Sequence, residues 1–225
     1  MENENYPVRS ISIIGGTGNE GKGLAYRWAK AGYKVIIGSR QFAKAQTAAD
    51  FVVEFSKNTI TVEGMLNRDA AKKGDVVVIT VPYKAHQATL EAIKSELSGK
   101  ILIDVTVPLV PPKVSKVQMP PAGSALQEAK SIVGEDVRVA AAFQNISHEH
   151  LLSNDEIECD VLVCGEGPDV RNIVLGLVED AGLLGWDAGP IENAVVIEGL
   201  TSVLIGINKK YKVNSSGIKI TGIVR

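Results

Sequence analysis

Apolar and polar positions along this chain alternate in blocks whose lengths suit strands and helices. Val8, Ile11, Ile13 and Ile14 form a short apolar run that ends in a glycine-rich turn, and the pattern then becomes helical over residues 19–31. Residues 34–38 read as the next strand. Residues 41–56 read as a helix with Phe42, Ala45, Ala49, Val52 and Val53 on one face. A short strand is predicted over 59–62 and a short helix over 67–73, with Asn67 as its N-cap. The run 75–81 is continuously apolar, the pattern of a parallel strand buried on both faces. A helix over 83–97 stops at Ser98-Gly99, a strand covers 100–105, and residues 108–121, with five prolines, read as loop. A helix over 122–133 and a strand over 137–142 follow. After a polar stretch come a strand (160–165), a helix (168–181) with Pro168 in its first turn, a strand (183–188) and a long apolar helix (191–210). Strand–helix alternation of this kind predicts an α/β fold with a doubly wound parallel sheet.

The first turn carries the chemistry. Residues 15–23 read G-G-T-G-N-E-G-K-G, and Gly16, Gly18 and Gly21 form G-x-G-x-x-G between a strand and a helix, the setting this motif requires. Gly16 is expected to make the tight turn, Gly18 to let backbone approach a pyrophosphate, and Gly21 to let helix pack on strand. Free amide groups at the helix start would face the anion. The fold class is therefore Rossmann-type, with a dinucleotide-binding domain over residues 1–145 and a small C-terminal α/β appendage over 146–225 closing a cleft. The second strand ends in Ser39-Arg40, where an NAD-binding chain usually carries an acidic residue for the ribose. A guanidinium pairs with a 2′-phosphate that a carboxylate would repel, so the cofactor read here is NADP. Thr17 and Ser39 add hydroxyls and Lys44 adds charge one turn into the next helix. The plainer alternative makes Arg40 and Lys44 solvated surface cations.

Length and composition bound the rest. The 225 residues suffice for one nucleotide-binding domain and a small addition, and apolar residues make up 45% of them. A net charge of −2 provides no broad basic field for nucleic acid. The start of the chain is polar and acidic rather than a secretory signal, and no membrane partner is expected. A cytoplasmic protein with reduced core thiols at Cys159 and Cys164 is the expectation. The long apolar helix over 191–210 suggests a homodimer.

Further motifs carry a family resemblance: G-S-R at 38–40, V-P at 81–82, P-L-V-P at 108–111, V-C-G at 163–165, D-A-G-P at 187–190 and G-I-K at 217–219. With the glycine loop they resemble the coenzyme F420-dependent NADP reductases over nearly the whole chain. The resemblance implies NADP and coenzyme F420 as small-molecule cosubstrates and hydride exchange between them. It implies that Thr17, Ser39, Arg40 and Lys44 hold the 2′-phosphate, and that Gly16, Gly18, Asn19 and Glu20 line the pyrophosphate turn. Val81 and Pro82 would lie along the nicotinamide, and Pro108, Leu109 and Val110 would form part of the deazaflavin wall. Two features depart from the family pattern. Gln144-Asn145-Ile146-Ser147 replaces a H-T-I-P-type segment, and His86 is displaced by one position.

Hydride transfer between two flat rings needs positioning and exclusion of water more than an acid or base, so no catalytic side chain is assigned. His148 and His150 lack further ligands at metal-site spacing and read as a solvated loop pair or a contact for a polar group of the substrate, so no metal site is assigned. His86 reads as a capping or surface residue, with contact to the cleft as the alternative. Asp104, at a strand's carboxyl end, reads as a backbone cap or a ligand contact, and Asp187 as a turn residue. Cys164, without a basic neighbour in sequence, reads as a buried thiol. Two other functions remain open: reduction of another flavin-like or small-molecule acceptor with NADP, and NADP binding without catalysis.

Overall fold

The computed structural model describes residues 8–153 and 156–223. One eight-stranded sheet runs through the molecule in the order β3-β2-β1-β4-β5-β6-β7-β8. The strands are β1 (Ser10–Ile14), β2 (Lys34–Ser39), β3 (Val62–Leu66), β4 (Val76–Ile79), β5 (Ile101–Asp104), β6 (Arg138–Ala141), β7 (Asp160–Gly165) and β8 (Leu184–Asp187). The helices are α1 (Asn19–Lys30), α2 (Phe42–Phe55), α3 (Asn67–Lys73), α4 (Tyr83–Ile93), α5 (Ala125–Val133), α6 (His148–Leu151), α7 (Gly167–Asp180) and α8 (Ala194–Tyr211). Strands β1–β6 pair in parallel; β7 is antiparallel to β6, and β8 returns parallel to β7. Strand order reverses between β1 and β4, so the crevice for a ligand opens at their carboxyl ends.

Side chains alternate across this sheet into two cores. Ile11, Ile13, Val76, Val78, Ile101 and Ile103 pack with Leu24, Trp28 and Val174 on one face. Ile14, Val77, Ile79, Leu102 and Val139 pack with Leu90, Ile93, Leu126 and Ile197 on the other. Each central strand is buried on both sides, which is why Val76–Ile79 is an unbroken apolar run.

Two local readings need correction. The third strand is Val62–Leu66 and not 59–62. Lys57 and Asn58 adopt left-handed backbone (φ 59° and 61°), and Ser56 Oγ accepts from the Thr59 amide, so a turn consumes the residues before Val62. Asn67 is no N-cap, because α3 begins at Asn67 itself after Leu66. Its Oδ1 instead accepts from the Gly15 amide at 3.3 Å, across from the glycine turn.

Residues beyond 145 continue the sheet and dock on α1. The Arg27 guanidinium donates to the carbonyls of His150, Leu151, Ser153 and Ala181, and Trp28 Nε1 donates to the Leu177 carbonyl at 2.8 Å. The long C-terminal helix starts as a 3-10 turn over Ile191–Asn193 before α8 proper. Ile191–Tyr211 is long and apolar enough to span a bilayer by length and composition, its most apolar 18-residue window having a mean hydropathy of 1.3. Its inner face (Ala194, Ile197, Leu204) is core, whereas Val196, Val203, Ile207 and Tyr211 are exposed.

Candidate nucleotide cleft and active site

The β1–α1 turn owes its shape to three glycines packed at distances no side chain tolerates. Gly15, not Gly16, carries the left-handed conformation (φ +72°), and a Cβ there would meet Val81 Cγ1. Gly16 is constrained by packing: its Cβ would lie 2.8 Å from the Ile13 carbonyl oxygen. A Cβ on Gly21 would run into the Cα of Gly16, so these two residues bring helix and turn together. Gly18 has open space where a Cβ would stand and caps α1 without a side-chain hydrogen bond. Among the described residues no side chain caps the first amides of α1, which carry the positive end of the helix dipole. Asn19 is exposed beside them. Glu20 is part-exposed, but its Oε1 is buried without a hydrogen-bond partner, and burial pushes the carboxyl up to about 8.

A cavity of about 170 Å³ sits over this turn, lined by Gly15, Thr17, Ser39, Arg40, Gln41, Lys44, Asn67, Val81, Pro82, Ala85 and Thr89. It brings together the four residues assigned to the 2′-phosphate and the Val81-Pro82 pair assigned to the nicotinamide. Ser39 is buried and its Oγ accepts from the Gln41 amide, which turns the chain so that Arg40 is exposed. Neither Arg40 nor Lys44 makes an ion pair among the described residues, so both cations remain available to a ligand. A second hollow of about 420 Å³ shares Thr17 and Lys44 and is walled by Lys22, Thr47 and Phe51. The Lys22 ammonium stands 4.3 Å from the centre of the Phe51 ring.

Pro108, Leu109 and Val110 do not line the cleft cavity. They lie on the loop after β5, where Pro108 is buried, Leu109 half-buried and Val110 exposed. Further along this loop, Val117 and Met119 reach Gly199, so the loop runs against α8.

Sequence reasoning misplaced His86 and missed Glu198. His86 is neither a cap nor a surface residue: it is 1% exposed, with Nε2 2.6 Å from Asp104 Oδ2. Burial opposes an imidazolium here, but the charge and hydrogen bond of Asp104 outweigh it, helped by Glu128 and Glu198, and hold the His86 pKa above its ordinary value. Asp104 is equally buried, and its Oδ1 accepts from the Thr106 amide at 2.9 Å. Glu198, on α8, is 1% exposed and accepts from the amides of Ala125 and Leu126 at 2.7 and 3.1 Å, capping α5 from another element. Burial pushes its carboxyl up to about 8 against those two donors. The one sequence signal for it was a lone acidic residue inside an apolar helix. Tyr83 donates to Glu128, and burial with that bond pushes the phenol up to about 12.

The segment that departs from the family pattern is internal. Gln144 Nε2 donates to the Asp104 carbonyl, and Asn145 Nδ2 donates to the Asp160 carbonyl, each at 2.6 Å. Both residues brace strand ends and are buried. His148 and His150 lie on α6, with His150 Nε2 3.4 Å from the Ser215 carbonyl. Asp187 fixes its turn by accepting from the Gly189 amide and from Arg171. Cys159 and Cys164 are buried free thiols, and burial pushes Cys164 up to about 12.

Comparison with known proteins identifies the family and the fold. A family model described as NADP oxidoreductase, coenzyme F420-dependent, matches residues 10–108. An F420-dependent NADP reductase from Methanocaldococcus jannaschii is 39% identical over 221 residues, covering 95% of this chain and 98% of the relative. One from Methanothermobacter thermautotrophicus is 41% identical over 223 residues, covering 96% of each. A crystal structure from Arthrobacter sp. FB24, described as a candidate F420-dependent NADP reductase, superposes with a TM-score of 0.79 at 22% identity and covers 96% of this chain, which bears on the fold alone. With two relatives matched at this identity along almost their whole length, the chain belongs to the F420-dependent NADP reductase family.

Proposed function

We propose that this protein is an oxidoreductase that exchanges a hydride between coenzyme F420 and NADP by holding the two rings face to face. The observation that carries the reading is the pair of uncommitted cations, Arg40 and Lys44, in one cavity with Thr17, Ser39, Val81 and Pro82. NADP fits that arrangement. The guanidinium and ammonium match the adenosine 2′-phosphate, the free α1 amides match the diphosphate, and the open space at Gly18 admits its close approach. Val81 and Pro82 present an apolar wall for the nicotinamide at the carboxyl end of β4. The two cosubstrates supply the redox chemistry once bound. The chain binds them, orients them and keeps water away from the reacting faces.

The test is direct. Reduced F420 and NADP are mixed with the protein, and the appearance of oxidised F420 is followed by absorbance. Turnover with NADP and much slower turnover with NAD is the expected result. Absence of turnover with F420, together with turnover of another acceptor, refutes the choice of substrate. The exposed stripe of Val196, Val203, Ile207 and Tyr211 on α8 supports a homodimer, which sedimentation equilibrium reads as twice the chain mass.

A further inference from the structure

Val81 and Pro82 gain their position from a buried polar network. Pro82 is the N-cap of α4, its carbonyl accepts from the Ala85 amide at 2.8 Å, and His86 follows in the same first turn. Fixing His86 therefore fixes the turn that forms the nicotinamide wall. His86 is gripped from below by Asp104, the last residue of β5, at 2.6 Å. The other carboxylate oxygen of Asp104 takes the Thr106 amide, and the Thr106 hydroxyl returns to the Val81 carbonyl at 3.4 Å. The loop closes from Val81 through Pro82 and His86 to Asp104 and Thr106, and back to Val81. It is also anchored outward. Gln144 donates to the Asp104 carbonyl, and Thr201 on α8 donates to the Gln144 carbonyl at 2.7 Å. Strand ends β4 and β5, the segment after β6, and α8 thus share one set of hydrogen bonds beneath the wall.

Such a pair is costly to bury and is not needed for packing, since apolar residues of similar size often serve as well. What it adds is direction. A planar imidazole held by a short charge-assisted bond, on a helix that starts at the wall, leaves the wall little freedom. We infer that His86 and Asp104 are positioning residues for the nicotinamide: they act through the Val81-Pro82 turn and touch neither ring. The inference rests on the reading of that turn as the nicotinamide side. The charged and titratable groups that face His86 are Asp104, Glu128 and Glu198, with Tyr83 stacked beside it at 6.3 Å between ring centres.

The test uses the full chain and NADPH, whose nicotinamide emission reports immobilisation of the ring, whereas affinity comes largely from the phosphate end. His86→Leu removes the grip. It should leave NADPH affinity near wild type, lower the emission anisotropy of the bound ring, and reduce kcat with F420 by about ten- to a hundred-fold, as a misplacement near 1 Å does. His86→Gln can present a donor where Nε2 stood and should restore much of both signals. Asp104→Asn keeps the Thr106 contact but removes the charge that strengthens the bond to His86, and should shift anisotropy and kcat in the direction of His86→Leu by less; an acid–base role would instead cost activity in His86→Gln with the anisotropy unchanged, and would overturn the inference. Should His86→Leu fail to fold, Thr106→Val is nearly isosteric and should shift anisotropy and kcat in the same direction by less. Unchanged anisotropy in a folded His86→Leu or Thr106→Val protein overturns the inference. A wild type that binds NADPH but does not turn over F420 overturns the proposed function only, because the anisotropy comparison still decides the role of the pair.

Discussion

On the proposed reading, Arg40 is the residue whose removal should most sharply separate NADP from NAD. It stands exposed at the end of β2, lines the cleft cavity, and forms no ion pair among the described residues. Arg40→Ala therefore breaks nothing within the protein, and unfolding free energy should move by less than about 0.5 kcal/mol. Toward NADP it removes a charge-assisted pair with a dianion, and hydrogen bonds to charged groups contribute about 1.5–3 kcal/mol. That range corresponds to about ten-fold to over a hundred-fold in Kd. The site is open to solvent, so the lower half of the range is expected at physiological salt, where the screening length is about 8 Å, and the loss should grow as salt is lowered. NAD has no 2′-phosphate and should bind both proteins alike. Lys44→Ala should act in the same direction but more weakly, since an ammonium offers a point charge instead of a bidentate fork. Titration calorimetry with both dinucleotides at two salt concentrations measures all of this. Equal losses for NADP and NAD, or a loss for NADP that ignores salt, would refute phosphate recognition by Arg40.

Three other outcomes follow from the packing. Gly21→Ala forces a Cβ onto the backbone of Gly16, where neither partner can yield, so the turn must open; NADP binding should be lost in a protein whose circular dichroism stays helical. Arg27→Ala removes the guanidinium donor from the His150, Leu151, Ser153 and Ala181 carbonyls and should cost about 2–4 kcal/mol in urea unfolding; a change under 0.5 kcal/mol would show that α6 and α7 are held otherwise. Glu198→Gln tests a pH effect. The carboxyl titrates near its ordinary 4.5 when unfolded and at about 8 in the fold, so between these values the native state keeps a proton that the unfolded chain has released. Wild-type stability should therefore fall as pH rises from about 4.5 to about 8. Glu20 and His86, both raised, tilt the curve the same way, so the informative quantity is how much shallower the Glu198→Gln curve becomes. Parallel curves would exclude the Glu198 contribution.

The sequence determined by itself whatever depends on neighbours in the chain. Periodicity located the strands and helices, because burial on one face or two writes itself into spacing. The glycine turn was legible because its steric demands are local. Ser39-Arg40 was legible because strand length and turn geometry fix where a residue after β2 must stand, and the cavity gathers Thr17, Ser39, Arg40 and Lys44 accordingly. The third strand slipped because side-chain bonds from Ser56 extended a turn that propensity alone does not foresee. The tertiary structure alone decided the polar interior. His86 and Asp104 lie 18 positions apart and Ala125 and Glu198 lie 73 apart, and nothing in either local sequence names the partner. The same holds for Asn67 with Gly15 and for Gln144 with Asp104. A buried polar group must be paired, yet which group pairs with it depends on which strand ends and helix starts the sheet order brings together. That order, including the antiparallel turn from β6 to β7, is a property of the assembled sheet.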